Sequence, residues 1–158
     1  MRILNSWKVS DKGFIDVVRK LPQLEEVDIP WSNIVYKDSL EALGRSCPLL
    51  KSLKFNRMWP NIPGSAADND DDALIISETM PRLFRLEITG TKLTNIGLLA
   101  ILDGCPLLEY LDIQACSNLS LSESLRKRCL EQIKEFRQPM LDFFDDRDYF
   151  EYCINYLR

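Results

Sequence analysis

The sequence predicts an α/β fold built by repetition: a horseshoe-shaped solenoid with parallel strands on its concave side and helices on its convex side. Three observations predict it. "CPLLKSLKF" at Cys47–Phe55 returns as "CPLLEYLDI" at Cys105–Ile113, and looser copies stand at Leu21–Ile29 and Met80–Ile88. Their prolines, Pro22, Pro48, Pro81 and Pro106, are separated by 26, 33 and 25 residues. Ahead of every proline lies an apolar pattern with helical spacing.

The strands come from the second half of each copy. Leu24, Val27 and Ile29 recur as Leu50, Leu53 and Phe55, then Leu83, Leu86 and Ile88, then Leu108, Leu111 and Ile113. That L-x-x-L-x-L pattern with a 25–26-residue period is the signature of leucine-rich repeats. Its last part alternates apolar with polar, as a strand with one buried face must.

The helices come from the first half. Counting back seven and four from the residue before proline gives Phe14 and Val17, Leu40 and Leu43, Ala73 and Ile76, Leu98 and Ile101. Every one is apolar, and such spacings put each pair on one helix face. Ser10 and Asp11, Asp38, Asp70, and Thr94 and Asn95 precede these runs as candidate caps. Proline stops each helix and turns the chain toward its strand. Cys47 and Cys105 share the last buried helix slot with Leu21 and Met80, where a small thiol packs well. One such unit cannot bury its apolar face alone, so neighbours must stack.

The wider central spacing comes from Met58–Asp72, "MWPNIPGSAADNDDD", a Pro-, Gly- and Asp-rich excursion. Asp68, Asp70 and Asp72 hint at a calcium loop, but the required glycine and closing glutamate are missing, with Thr79 at the closing position. The loop is read as a hydrated connection feeding a helix cap. At the start, "MRILNSWKVSDKGF" matches the second half of a unit, with Met1 and Ile3 as buried strand positions, and predicts a further segment upstream. Ser122–Arg137 reads as a closing helix with Leu125, Cys129, Ile133 and Phe136 inward, stopped by Pro139. The domain is therefore 1–138, about five strand–helix units with a cap helix at 122–137, followed by an acidic, aromatic tail at 139–158.

Composition narrows the function. At 158 residues, with 46% hydrophobic and 28% charged residues, the chain fits one globular domain. A net charge of −4 predicts no nucleic-acid partner, and Arg126–Arg128 reads as a solvated helix face. No apolar run approaches the roughly 20 residues of a membrane span. Five cysteines without framework spacing predict reduced thiols in the cytoplasm or nucleus. In that setting the sequon Asn118-Leu119-Ser120 is a chance match. Without any histidine, His-based triads, general bases and metal sites are excluded, and the scattered glycines form no phosphate loop. The chain is read as a non-enzyme with no catalytic residue, no metal and no cofactor.

"LEALGRSCPLLKSLKFNR" (Leu40–Arg57), "ETMPRLFRLEITGTKLTNIGLLAILDGCPLLEYLDI" (Glu78–Ile113), "LRKRCLEQIKEFRQP" (Leu125–Pro139) and "SDKGFIDVVRKLPQLEEVDI" (Ser10–Ile29) resemble the plant F-box/LRR-repeat proteins with cysteine-containing repeats. The resemblance implies the target-holding half of a receptor in a cullin-type ubiquitin ligase. In that family an N-terminal F-box docks on a Skp adaptor while the repeats hold the target. No F-box fits ahead of the first repeat here, so an adaptor contact is expected only if an upstream F-box exists. The alternative is a truncated or divergent repeat protein with no ligase role, acting as a scaffold or competitor.

Residues between the buried strand positions face the concave side, in columns. The first is Glu26, Ser52, Arg85 and Tyr110; the second is Arg2, Asp28, Lys54, Glu87 and Asp112; the third is Leu4, Pro30, Asn56, Thr89 and Gln114. The mostly acidic second column predicts a partner presenting Lys or Arg. Arg85 and Tyr110 are the expected anchors. Trp7, Trp31 and Trp59 follow the first three strands and either pack between turns or serve as edge contacts, since aromatics are enriched at interface hot spots.

Overall fold

A computed structural model describes residues 10–29, 37–56, 70–114, 116 and 118–139. Helix and strand alternate throughout. The order is α1 (Asp11–Val18), β1 (Glu26–Ile29), α2 (Lys37–Ser46), β2 (Ser52–Asn56), α3 (Asp71–Thr79), β3 (Arg85–Thr89), α4 (Asn95–Gly104), β4 (Tyr110–Asp112), α5 (Glu123–Gln132) and β5 (Glu135–Arg137). The strands form one parallel sheet in the order β1-β2-β3-β4-β5, so each strand lies beside its sequence neighbours.

The L-x-x-L-x-L pattern sets the register. Val27, Leu53, Leu86, Leu111 and Phe136 stand side by side, as do Ile29, Phe55 and Ile88 one pleat further on. These residues join Phe14, Leu40, Leu43, Ala73, Ile76, Leu98 and Ile101 from the helices in one apolar cluster. Each fully buried Leu or Ile there contributes about 1.5–3 kcal/mol by leaving water.

Four equivalent turns join helix to strand. Leu24, Leu50, Leu83 and Leu108 donate their amides to the carbonyls of Leu21, Cys47, Met80 and Cys105, at 3.1–3.2 Å. The prolines fill the second position of these turns, where their fixed φ is favourable. The slot cysteines reach the preceding unit. Cys47 Sγ donates to the Leu21 carbonyl oxygen at 3.4 Å, and Cys105 Sγ to that of Met80 at 3.6 Å. The Gln132 amide repeats the contact one unit later, bonding the carbonyl oxygens of Leu102 and Cys105 at 3.1 and 3.2 Å.

Caps also link neighbours. Ser10, Thr94 and Ser122 cap their own helices by accepting from Gly13, Ile96 and Leu125 amides. The Asp70 carboxylate makes no bond within α3. It accepts from the Thr94 amide at 2.8 Å and hydroxyl at 2.5 Å, tying α3 to the start of α4. Asp38, expected ahead of α2, lies inside its first turn.

The ends depart from the sequence expectation. Val17 is 45% exposed and Leu21 40% exposed, although both were expected inside. Equivalent positions in later units, such as Leu43, Ile76 and Cys47, are buried against two neighbours. Helix α1 packs against α2 on one side, and Val18, one residue on, turns inward in place of Val17. At the other end, the expected 122–137 helix stops at Gln132, and Glu135–Arg137 forms a fifth strand paired with β4. Unit five lacks the Pro-containing connector, so Ile133 leads almost directly from helix cap to strand. Met1, Ile3 and most of the 58–72 loop and 139–158 tail lie outside the described residues. Among the described residues, no helix is long and apolar enough to cross a membrane.

Candidate binding face

On the sheet side away from the apolar cluster, the parallel register assembles columns of polar residues. Glu26, Ser52, Arg85, Tyr110 and Glu135 form one. Asp28, Lys54, Glu87, Asp112 and Arg137 form the next, and Asn56 stands beside Thr89. Period-two alternation puts these residues together because their neighbours are held in the core.

The middle of this face is one connected network. The Arg85 guanidinium lies 3.7 Å from the Tyr110 ring centroid, with Arg137 at 5.6 Å. Arg85 also donates to Glu87 Oε1, from Nη2 at 2.6 Å and from Nε at 3.2 Å. Lys54 Nζ is 3.3 Å from the same oxygen. Asp112 accepts the Gln114 amide at 3.0 Å on Oδ1 and faces Arg137 at 3.8 Å through Oδ2. The Thr89 hydroxyl donates to Asn56 Oδ1 at 2.9 Å.

Packing within the network hides much of it. Glu87, Asp112 and Tyr110 are only 4%, 5% and 6% exposed, while Arg85 and Lys54 keep about a third of their side chains in solvent. Burial pushes the Asp112 carboxyl up from its usual range; Glu87 adds to this, while the Gln114 amide, Arg137 and Arg85 oppose it. Burial also raises the Tyr110 phenol, helped by Asp112 and Glu87, so the ring stays neutral. Burial works against the Arg85 charge, but the hydrogen bond and charge of Glu87 outweigh it and hold the guanidinium above its ordinary value.

This arrangement is suited to recognition. Its side chains are fixed by one another before anything binds, which lowers the ordering cost of association. Arg85 offers a planar cation, a common interface anchor, and the buried Tyr110 ring holds that guanidinium in place. Among the described residues, no group of three or more Cys, Asp or Glu side chains is arranged to hold a metal ion. Cys47, Cys105, Cys116 and Cys129 are free and buried.

Of the sequence-predicted residues, Glu26, Asp28, Lys54, Asn56, Arg85, Glu87, Tyr110 and Asp112 lie on this face, and Gln114 follows directly after β4. Trp7, Trp31 and Trp59, with Arg2, Leu4 and Pro30, lie outside the described residues. Glu135 and Arg137 complete two columns and were missed because their segment was read as helix. Phe136, between the charged Glu135 and Arg137 and three positions after Ile133, was the available signal.

No protein-family model matches the chain. Among curated proteins, it is 44% identical over 144 residues to F-box/LRR-repeat protein 21 of Arabidopsis thaliana, covering 84% of this chain and 47% of that protein. It is 40% identical over 148 residues to F-box/LRR-repeat protein 22 of the same plant, covering 94% of this chain and 46% of that one. F-box protein SKIP19, also from Arabidopsis thaliana, is 40% identical over 139 residues, with 88% and 43% covered. The chain thus spans a little under half the length of these relatives. By sequence, over most of its length, the chain is similar to part of these plant F-box/LRR-repeat proteins.

Proposed function

We propose that this chain is a protein-binding module, a leucine-rich-repeat solenoid whose polar sheet face holds a protein target. Within a longer protein it would be the target-recognition part of a ubiquitin-ligase receptor. The observation that carries the reading is the preassembled network of Arg85, Tyr110, Glu87, Asp112 and Lys54 on a face whose residue types vary while the core beneath repeats. The face holds five acids (Glu26, Asp28, Glu87, Asp112 and Glu135) against three bases (Lys54, Arg85 and Arg137). That balance favours a partner presenting Lys or Arg. Contact with a Skp-type adaptor is proposed only for a longer chain that carries an F-box.

The test is affinity capture from plant extract with this chain as bait, beside Arg85→Ala and Tyr110→Ala variants. Partners that use the face are lost or strongly depleted with both variants. Unchanged recovery of every partner would overturn the assignment.

A further inference from the structure

The first column of the sheet face carries its charges on alternate strands. Glu26 stands on β1, Arg85 on β3 and Glu135 on β5, with the uncharged Ser52 and Tyr110 between them. Glu26 and Glu135 are exposed, and Arg85 keeps 37% of its side chain in solvent. Tyr110 is buried, with the Arg85 guanidinium over its ring. An approaching surface therefore meets acid, base and acid in order. Arg85 uses Nε and Nη2 on Glu87, and its Nη1 makes no hydrogen bond among the described residues.

Spacing decides what can meet all three charges. Neighbouring strands lie about 4.8 Å apart, so these side chains recur about every 9.6 Å and span about 19 Å. Along a strand the face is shorter, with Glu26 and Asp28 on β1 and Ser52, Lys54 and Asn56 on β2. A partner segment that reaches from Glu26 to Glu135 must run across the strands. In an α-helix, residues seven apart return to nearly the same side and lie about 10.5 Å apart along the axis. Positions i, i+7 and i+14 then span about 21 Å, close to the span of the column. An extended chain instead sets its same-facing side chains about 6.6 Å apart. The Arg85 strand would fall midway between two of them.

Charge complementarity fixes the contact residues. Opposite Glu26 and Glu135 the fitting side chain is Lys or Arg. Opposite Arg85 it is Asp or Glu, whose carboxylate can accept from Nη1 in a charge-assisted bond.

We propose that the sheet face docks one α-helix of a protein partner, laid across the strands, with Lys or Arg at i and i+14 and Asp or Glu at i+7. This rests on the sheet face being the binding surface, and adds the conformation, direction and charge order of what binds. The charge order reads the same from either end, so the helix can lie in both directions.

The test uses this chain and a fluorescein-labelled, alanine-rich helical peptide with Lys, Glu and Lys at i, i+7 and i+14, read by anisotropy at low salt. One control moves the same three residues to i, i+5 and i+10, which scatters them around the helix. A second keeps the heptad spacing but places prolines between the charges, so that no helix forms. The wild type binds the heptad peptide saturably and each control more weakly by about fivefold or more, and added salt weakens binding. Glu26→Lys with Glu135→Lys weakens the heptad peptide by about fivefold or more. The same double variant gains binding to a peptide with glutamate at all three heptad positions, and that gain shows the variant is folded. Absence of saturable binding, equal binding of the scattered or the proline peptide, or undiminished binding by the double variant would overturn the proposal. If the heptad peptide fails while Arg85→Ala still depletes partners captured from extract, the helix is wrong and the sheet face stands. If Arg85→Ala also leaves that capture unchanged, the sheet-face reading falls with it.

Discussion

A thiol at the helix–strand seam does two things: it fills a small space, and it donates a hydrogen bond to the preceding unit. Cys105 shows the cost of charging such a group, for burial pushes its thiol up to about 12 from the ordinary 9.0. Thiolate is the reactive form, so at pH 8 the folded chain should alkylate at Cys105 about a thousandfold more slowly than the unfolded chain. Peptide mapping after iodoacetamide, with and without urea, measures this; equal rates would contradict the buried assignment. The same shift sets a pH dependence. Between pH 9 and about 12 the unfolded thiol has released its proton while the folded one keeps it. Stability therefore falls as pH rises through that window, with Cys116 and Cys129, both raised to about 11 by burial, adding to the loss. Urea midpoints at pH 8 and pH 10 should differ in that direction. Asp112 obeys the same sign at lower pH, since its raised carboxyl disfavours the charged form in the fold. Asp112→Asn should hold or raise the melting temperature at pH 7 while weakening capture of a basic partner. A clear loss of stability would mean that Arg137 compensates the charge fully.

At the scale of elements, the depth of each strand decides what a substitution costs. Leu86 sits fully buried between Leu53 and Leu111 in the middle strand, whereas Phe136 on the last strand is half-buried. Leu86→Ala should cost about 2–5 kcal/mol, and Phe136→Ala less, as measured by chemical denaturation. Helices approach closely at glycines: a Cβ on Gly104 would meet the Ser77 backbone, with its Cα at 2.6 Å. Gly104→Ala should cost about 1–3 kcal/mol through overpacking, and no loss would mean the helices can separate freely. Much of this was legible in the residues. Four prolines with apolar positions at fixed offsets specify a helix, a turn and a strand without reference to anything distant. What was not legible depended on neighbours. Val17 matches Leu43 by pattern, but pattern does not say that the first helix has one described helical neighbour where Leu43 has two. The fifth strand was hidden because Leu125, Cys129, Ile133 and Phe136 keep helical spacing to the end. Pairing with β4 outweighed that local periodicity. The seam contacts, thiol to carbonyl at Cys47 and Cys105 and amide to carbonyl at Gln132, link residues about one repeat apart. No local window of sequence displays them.

At the scale of the molecule, repetition separates the groups that maintain the fold from those that can vary. The buried columns barely change from strand to strand, while the opposite columns pass through Glu26, Ser52, Arg85, Tyr110 and Glu135. The sequence located those columns by offset alone, but not their mutual engagement. Stacking of Arg85 on Tyr110, and the shared grip of Lys54 and Arg85 on Glu87, arise only when strands are in register. Recognition by this face is the central claim, and hydrogen exchange tests it most directly. Exchange of backbone amides would be followed by mass spectrometry in the chain alone and in complex with a partner recovered by affinity capture. The account predicts added protection in peptides covering 52–56, 85–89 and 110–114, strongest around Arg85 and Tyr110. Protection confined to the helices, with those strand peptides unchanged, would contradict it.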